Sequence, residues 1–173
     1  MTSSLTTAYA RINALLDAGS FVEIGAHVTA RYAAGNDVNG DGGATGYGTI
    51  DGALVYVYAQ DPNYLGGSIG EMHAKKISKI YDMAIKMGAP VIGLIDSTGL
   101  RLEESTDALN GVGEIYAAQA LASGVIPQIT AVFGTCGGGL TVVPALSDFT
   151  FMEKDAKMFV NSPDAIEGNN CNK

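Results

Sequence analysis

Apolar residues recur at three- and four-residue spacing in three stretches of the chain, and each stretch predicts a helix. The stretches cover residues 3–17, 68–87 and about 107–122. Gly88 and Pro90 follow the second stretch and are expected to stop its helix. Its predicted inward stripe is Ile69, Met72, Lys76, Ile80, Ala84 and Met87.

Strand-like patterns separate these helices. Residues 45–50 and 53–59 alternate in strand fashion around Asp51-Gly52, which predicts a β-hairpin. Residues 91–96 (VIGLID) and 128–133 (QITAVF) are continuously apolar, as in parallel strands buried on both faces. Two shorter strands are expected at residues 21–24 and 149–152. The alternation of buried strand, glycine turn and helix predicts an α/β fold.

Glycine stands out in the composition. The chain has 173 residues, of which 47% are hydrophobic and 16% charged, as in a globular domain. It contains 23 glycines, against about 12 at average usage. They follow no three-residue period, which excludes collagen, and they cluster beside apolar runs. That placement indicates tight turns and close approach of the backbone to a neighbour.

Charge, cysteine and histidine content exclude several classes of function. A net charge of -8 argues against a nucleic-acid partner, because phosphate binding needs a basic field. No apolar run is long enough to span a bilayer, and the first ten residues lack a basic, hydrophobic leader, so we expect a cytoplasmic location. The two cysteines, Cys136 and Cys171, and the two histidines, His27 and His73, predict neither a disulfide framework nor a metal site.

The polar stretch 34–43 predicts an exposed loop. Within it, residues 37–42 (DVNGDG) imitate the start of a calcium-binding loop. Gly48 stands at the twelfth position, where such a loop needs a bidentate glutamate. We therefore expect no metal bound by this chain.

Two glycine-rich segments follow buried strands and precede helices. They are residues 97–101 (STGLR) and 134–140 (GTCGGGL). In parallel α/β sheets such turns lie at the carboxyl ends of strands, where ligands bind and unpaired N–H groups can donate to an oxygen. Two turns converging on one oxygen would form an oxyanion hole for an enolate or a tetrahedral intermediate. The alternative is that the glycines only permit close packing of helix on sheet.

Few side chains near these turns are candidate catalytic groups. Cys136 follows a strand, where a helix dipole can lower the pKa of a thiol, but no histidine pattern accompanies it or Ser97. Glu103, Glu104 and Asp107 are interpreted as a solvated helix start rather than an acid/base pair. Backbone groups are therefore expected to provide the stabilisation, with the base supplied by the substrate or a cofactor.

Long strings of this sequence resemble the biotin-dependent acyl-CoA carboxyltransferases. This family includes the carboxyltransferase subunits of propionyl-CoA carboxylase and of methylmalonyl-CoA and glutaconyl-CoA decarboxylases. The strings are GYGTIDG (46–52), YVYAQD (56–61), LGGSIGEMHAKKI (65–77), GAPVIGLIDS (88–97), ASGVIPQ (122–128) and PALSDF (144–149).

The resemblance implies a crotonase-like fold of stacked ββα units. It also implies that a carboxyl group passes between N1 of biotin and the carbon alpha to the thioester of an acyl-CoA. Biotin would be carried on a separate protein or domain. An enolate would form on the acyl-CoA and would be held by backbone N–H groups.

The family's two glycine motifs, Gly-Gly-Ala-Arg and Cys-Ala-Gly-Gly, correspond to residues 98–101 and 136–139. The N–H donors implied by the resemblance are Gly99, Leu100, Gly138 and Gly139. Arg101 is implied as a substrate-positioning or phosphate contact. The implied wall along which coenzyme A lies is Ala59, Gly66 and Gly67, the last two at the start of the second helix.

The sequence departs from the family pattern in two ways. Thr98 replaces a glycine and Leu100 an alanine, which leaves the acyl group open. Family members also have two crotonase-like halves, and residues 1–173 are expected to be most of the N-terminal, acyl-CoA-binding domain. The C-terminal half and the biotin carrier would then be partners, and exposed apolar surface predicts homo-oligomers.

Two alternatives stay open. One is a catalytically silent half-subunit that binds coenzyme A and serves assembly. The other is a biotin-independent crotonase-like hydratase or thioesterase.

Overall fold

The computed structural model describes residues 7–31 and 40–161. Four helices and seven strands lie within these ranges. In chain order they are α1 (Thr7–Leu15), β1 (Val22–Glu23), β2 (Gly43–Ile50), β3 (Ala53–Gln60), α2 (Glu71–Met87), β4 (Val91–Ser97), α3 (Ser105–Ala122), β5 (Gln128–Gly137), α4 (Val142–Leu146), β6 (Phe149–Met152) and β7 (Lys157–Phe159). Short 3₁₀ turns occupy Leu65–Gly67, Leu102–Glu104 and Gly138–Thr141.

One mixed sheet carries these strands, in the order β1-β2-β3-β4-β5-β6, with β7 paired to β5. β1, β2 and β3 pair antiparallel, which confirms the hairpin predicted at Asp51-Gly52. β3, β4, β5 and β6 pair parallel, so the chain crosses over through α2 and α3 between strands. The predicted α/β class is confirmed.

Helices cover the sheet on two faces. α2 and α3 pack on one face, where the buried core includes Tyr58, Ile77, Ile95 and Ile115. α1 packs on the other face, where Ile12 contacts a smaller cluster of strand residues. Every residue of β4 is buried, as the continuous apolar run predicted.

The buried stripe of α2 differs from the predicted one at several residues. Met87 is 61% exposed, whereas His73 and Tyr81, absent from the predicted stripe, are buried. The helix ends as expected at Gly88, whose φ of 64° is the left-handed conformation favoured at helix ends. Met87 is the last residue of the helix, directly before the Gly88 cap.

Three predicted boundaries are corrected. α2 begins at Glu71 rather than residue 68, and α3 begins at Ser105 rather than 107. β5 continues to Gly137, because residues 135–137 pair with β7 and Cys136 pairs with Ser97 of β4. The second glycine turn is therefore Gly138–Thr141. The loop expected at 34–43 and the calcium-like segment lie largely outside the described residues, and Cys171 lies wholly outside them.

Two negative findings apply to the described residues. Residues 7–31 and 40–161 include no group of three or more His, Cys, Asp or Glu side chains that could hold a metal ion. No helix in the same ranges is long and apolar enough to cross a membrane.

Asp17 fastens the end of α1 to the hairpin turn. Its carboxylate accepts hydrogen bonds from Thr49 Oγ1 at 2.6 Å, from the Gly52 N–H at 2.9 Å and from the Asp51 N–H at 3.0 Å. The bond from Thr49, followed by that from Gly52, lowers the pKa of this carboxyl below its usual value. The charged form is therefore the one that stabilises the folded chain.

Replacing Asp17 with Asn should remove a pH-dependent part of the stability. A carboxyl whose folded pKa is depressed contributes stability above its unfolded pKa of about 4 and loses it as pH falls through the folded value. The difference in unfolding free energy between wild type and Asp17→Asn should therefore be constant near neutral pH and shrink below about pH 4. Urea denaturation across that range measures it. Asp82→Asn, on the exposed face of α2, is the control, and an equal acid dependence in both variants would contradict the assignment.

Candidate active site

The structure brings the two predicted glycine turns against each other. A Cβ added to Gly99 would lie 2.7 Å from the Gly137 carbonyl oxygen and 3.6 Å from the Gly138 nitrogen. A Cβ added to Gly137 would lie 2.6 Å from the Thr98 oxygen. Only glycine permits such close approach of two backbones. The glycines therefore do permit close packing. The packing is of the first glycine turn on the end of β5, not of a helix on the sheet.

The N–H groups of the first turn differ in what they bind. The Gly99 N–H, predicted to face a ligand, donates instead to Ser97 Oγ at 3.1 Å. The Arg101 N–H donates to the Ile69 oxygen at 2.9 Å. Among the described residues, the Leu100 N–H has no hydrogen-bond acceptor. Leu100 is thus the residue of this turn whose N–H is unbonded within the described residues, and donation by it to a ligand stays a prediction.

The second turn presents glycines with different surroundings. Gly138 has a φ of 60° and open space where a Cβ would lie. The carbonyl oxygen of Gly139 accepts a hydrogen bond from the Tyr116 hydroxyl. This bond fixes the peptide that follows Gly139. Donation by Gly138 and Gly139 to a ligand stays a prediction.

A cavity of about 230 Å³ opens beside the first turn. Its lining residues are Leu65, Ser68, Thr98, Leu100, Arg101, Leu102 and Glu103. Leu102 is 82% exposed and forms part of the apolar rim. The cavity thus combines apolar lining residues with a few polar ones, the mixture that small-molecule sites use, and Leu100 is among the residues that line it.

A larger cavity, of about 350 Å³, shares no lining residue with the first. Glu23, Asp41 and Asp61 contribute carboxylates to it and Lys76 an ammonium group. Lys76, placed in the apolar stripe by its spacing, is buried and pairs with Asp41 at 3.1 Å. This cavity contains no glycine turn from the carboxyl ends of β4 or β5.

Arg101, which the resemblance implied as a contact to the substrate, is buried beside the smaller cavity. Its side chain is 1% exposed. Its guanidinium donates to Glu104 Oε1 at 2.8 Å and to the backbone carbonyl oxygens of Ser68 at 2.8 Å and Asp41 at 2.9 Å. The Tyr64 ring lies against it, 5.4 Å from ring centroid to Cζ. The guanidinium is thus bonded within the protein, and the substrate-positioning or phosphate contact implied for Arg101 stays a prediction.

Glu104 is also corrected, because it is not part of a solvated helix start. Its side chain is buried, and Oε2 accepts the N–H of Glu71 at 2.7 Å, at the N-terminus of α2. A Cβ on Gly70 would lie 2.1 Å from Oε1, so glycine at that position makes room for the carboxylate. Glu103 is exposed, as predicted. The buried partner of Glu104, Arg101, makes its burial possible.

The residues of the predicted coenzyme A wall lie in two different environments, Ala59 in the sheet and Gly66-Gly67 in a turn. Ala59 is 1% exposed, in β3 between β2 and β4, and therefore has no surface to offer a ligand. Gly66 and Gly67 form a separate 3₁₀ turn rather than the start of α2. That turn contacts the first glycine turn, because the Thr98 N–H donates to the Gly66 oxygen at 3.0 Å. A role for Gly66 and Gly67 in binding stays a prediction.

Cys136 is unsuited to act as a nucleophile. Its side chain is fully buried, and burial raises the pKa of the thiol to about 11. The reactive thiolate is therefore scarce at neutral pH. Ser97 is buried as well, and its oxygen accepts the Gly99 N–H.

Sequence reasoning missed Asp96 as an organising residue. It opposes three residues of β5, because the pairing shifts from Ile95–Val132 to Ser97–Cys136. The carboxylate fills this bulge, accepting the Thr135 N–H at 3.1 Å and pairing with Arg11 of α1 at 2.8 Å. A carboxylate at the end of a fully apolar strand was the signal that could have identified it. Asp96 thus sets where the end of β5 lies relative to the first turn.

The family comparison agrees with this geometry. A family model described as "Carboxyl transferase domain" matches residues 4–169. The chain belongs to the carboxyl transferase domain family.

The curated relatives are considerably longer. The chain is 49% identical over 166 residues to the propionyl-CoA carboxylase beta chain of Roseobacter denitrificans, covering 93% of this chain and 32% of that protein. It is 46% identical over 170 residues to the methylmalonyl-CoA decarboxylase subunit alpha of Propionigenium modestum, covering 95% and 33%. It therefore spans about a third of the length of the curated relatives it matches.

Solved structures share the fold. A transcarboxylase 12S structure, a hexamer with hydrolysed methylmalonyl-coenzyme A bound, superposes with a TM-score of 0.87 at 40% identity, covering 91% of this chain and 32% of that one. A Pseudomonas malonate decarboxylase hetero-tetramer gives 0.86 at 28% identity, covering 92% and 63%. The crotonase-like fold predicted from the resemblance is confirmed.

The Arg11–Asp96 pair should show energetic coupling. Asp96→Asn weakens the bond to Thr135 and leaves Arg11 without its charge partner, so we expect a loss of about 1–3 kcal/mol in unfolding free energy. In a double-mutant cycle with Arg11→Met, the two losses should be non-additive by about 0.5 kcal/mol or more. Urea denaturation measures both quantities. Strict additivity would mean that the carboxylate acts on Thr135 alone.

Proposed function

We propose that this chain is the acyl-CoA-binding portion of a carboxyltransferase that moves a carboxyl group between biotin and the alpha carbon of an acyl-CoA. The observation that carries the proposal is the Leu100 N–H, which is unbonded within the described residues and belongs to a glycine turn that borders a cavity and packs against the second glycine turn. Membership of the carboxyl transferase domain family gives this geometry its chemical meaning.

The chain's own role would be to hold the thioester oxygen. Loss of the alpha proton or carboxyl group places negative charge on that oxygen, and preorganised N–H donors stabilise it without reorganisation. Leu100 would supply one donor, and Gly138 or Gly139 the second. The glycine backbones permit the turns to approach, while Leu65 and Leu102 would exclude water from the acyl group.

Biotin, when bound, would carry the transferable carboxyl group, and a separate protein or domain would deliver it. The described residues supply one pair of juxtaposed glycine turns, and we assign that pair to the acyl-CoA. A place for the biotin ring is therefore proposed on the partner half. The buried, free Cys136 is compatible with the reducing cytoplasm that we propose as the location.

An exposed apolar strand supports the proposal of a partner. All four residues of β6 are exposed, including Phe149 at 60% and Phe151 at 62%. Parallel strands in α/β proteins are usually covered on both faces, and large exposed apolar patches mark interfaces. We propose that the C-terminal carboxyltransferase half, or another copy of the chain, covers β6 and β7.

The same observation favours a second candidate, a silent half-subunit that binds acyl-CoA but transfers nothing alone. Carboxyl transfer from a biotin derivative to an acyl-CoA is measured for the chain alone and then with a C-terminal half added. Activity of the chain alone excludes the silent half-subunit. Activity that appears only with the added half is expected of both candidates, because both leave the place for biotin to the partner half, and its absence with the added half contradicts both.

Acyl-CoA binding should depend on the rim of the smaller cavity. Leu102→Asp removes an apolar contact and adds a negative charge close to an anionic ligand, so we expect about tenfold weaker binding of propionyl-CoA. Leu121→Asp makes the same change at a residue 72% exposed near the other end of α3 and should bind as wild type does. Isothermal titration calorimetry measures both. Failure of the folded wild type to bind any acyl-CoA would contradict the proposal.

Association of the chain should depend on β6. Phe151→Glu places a charge on the exposed face and should lower the apparent mass of the chain in size-exclusion chromatography with light scattering. Leu121→Glu, which adds the same charge on α3, is the matched control. A monodisperse wild-type monomer would contradict the predicted association.

A further inference from the structure

A buried ion pair follows Leu100 in the chain, and its charged groups bond within the protein. Arg101 and Glu104 are 1% and 3% exposed, and Nη1 of one lies 2.8 Å from Oε1 of the other. We propose that this Arg101–Glu104 pair positions the Leu100 N–H for the carbonyl oxygen of the acyl-CoA. The inference rests on the proposed acyl-CoA function and assigns two positioning residues to it.

The direction of the Leu100 N–H is set by the carbonyl that shares its peptide plane. The Gly99 oxygen accepts the Ile69 N–H at 2.8 Å. In a planar trans peptide the N–H points away from the C=O, so the Leu100 N–H points away from Ile69. The next peptide is fixed on the same residue, because the Arg101 N–H donates to the Ile69 oxygen at 2.9 Å.

The side chains of the pair hold the segment that carries Ile69. Nη2 of Arg101 donates to the Ser68 oxygen at 2.8 Å, on one side of Ile69. Oε2 of Glu104 accepts the Glu71 N–H at 2.7 Å, on the other side. The chain is therefore held on both sides of Ile69. Because Ile69 bonds to the two peptides that flank Leu100, these peptides are held as well.

The pair acts by geometry rather than by charge. Arg101 and Glu104 neutralise each other. The guanidinium also donates a hydrogen bond to the backbone carbonyl oxygen of Asp41 at 2.9 Å. Neither charge is left for a substrate. Loss of one partner would leave the other buried and unpaired, which would shift the 68–71 segment away from the first glycine turn.

The test compares two ligands that differ only in the carbonyl oxygen. Propionyl-CoA and the thioether S-propyl-CoA are titrated calorimetrically into the 173-residue chain. Wild type should prefer the thioester by about two- to tenfold, the range of one neutral hydrogen bond. Arg101→Met and Glu104→Gln should bring that preference close to one, while binding of the thioether changes by about twofold or less.

The controls separate positioning from general stability. Asp17→Asn should lower the stability of the hairpin yet keep the wild-type preference, because the Asp17 carboxylate contacts the hairpin end of β2 and β3, Thr49 to Gly52. Glu104→Gln keeps the side-chain shape, so a preference that survives in it overturns the positioning role even if Arg101→Met fails to fold. Equal binding of both ligands by wild type removes Leu100 as the donor. A folded wild type that binds neither ligand contradicts the proposed function itself and the inference with it.

Discussion

The close approach of the Gly99 and Gly137 backbones is the constraint on which the site depends. Any Cβ at either position would overlap a neighbouring carbonyl oxygen. The approach fixes the separation between the end of β4 and the end of β5, and with it the distance between the N–H groups of the two turns. The donors of the proposed site are backbone N–H groups, which cannot readjust as side chains do, so its precision would come from how strands and turns are packed.

Buried charges maintain that packing. Asp96 fills the bulge in β5 and is paired with Arg11, and Glu104 occupies the space that Gly70 leaves and is paired with Arg101. Each carboxylate also accepts a backbone N–H, from Thr135 or Glu71. Replacing such a pair with apolar side chains can preserve stability, but it would not reproduce these bonds to the backbone. The pairs therefore specify local geometry more than they add free energy.

Periodicity predicted the elements because each of them buries an apolar stripe or run. The VIGLID strand, the hairpin at Asp51-Gly52 and the third strand at 149–152 follow directly from local pattern. The environments of Arg101 and Glu104 could not be predicted in this way, because the segments they join are more than thirty residues apart in sequence. Local charge pattern predicts a solvated face, and only tertiary contacts show that a charged residue is buried.

The sequence could not show which N–H of the first turn is unbonded, for the same reason. Gly99 and Leu100 are adjacent, and both fit the motif of the first turn. Ser97 Oγ takes the Gly99 N–H, whereas Leu100 is left without an acceptor in the described part of the chain. The difference depends on the direction of two successive peptide planes, which pairing of residue 69 with residue 100 determines.

Substitutions in the exposed strand β6 would have different effects in the isolated chain and in an assembled enzyme. In the chain by itself, Phe149 and Phe151 contact little, so substitutions there would leave folding nearly unaltered and would look neutral in any screen based on the isolated polypeptide. In an assembled enzyme the same positions would lie inside an interface, where apolar side chains are selected strongly. Selection on the residues of β6 would therefore act through assembly rather than through the stability of this fold.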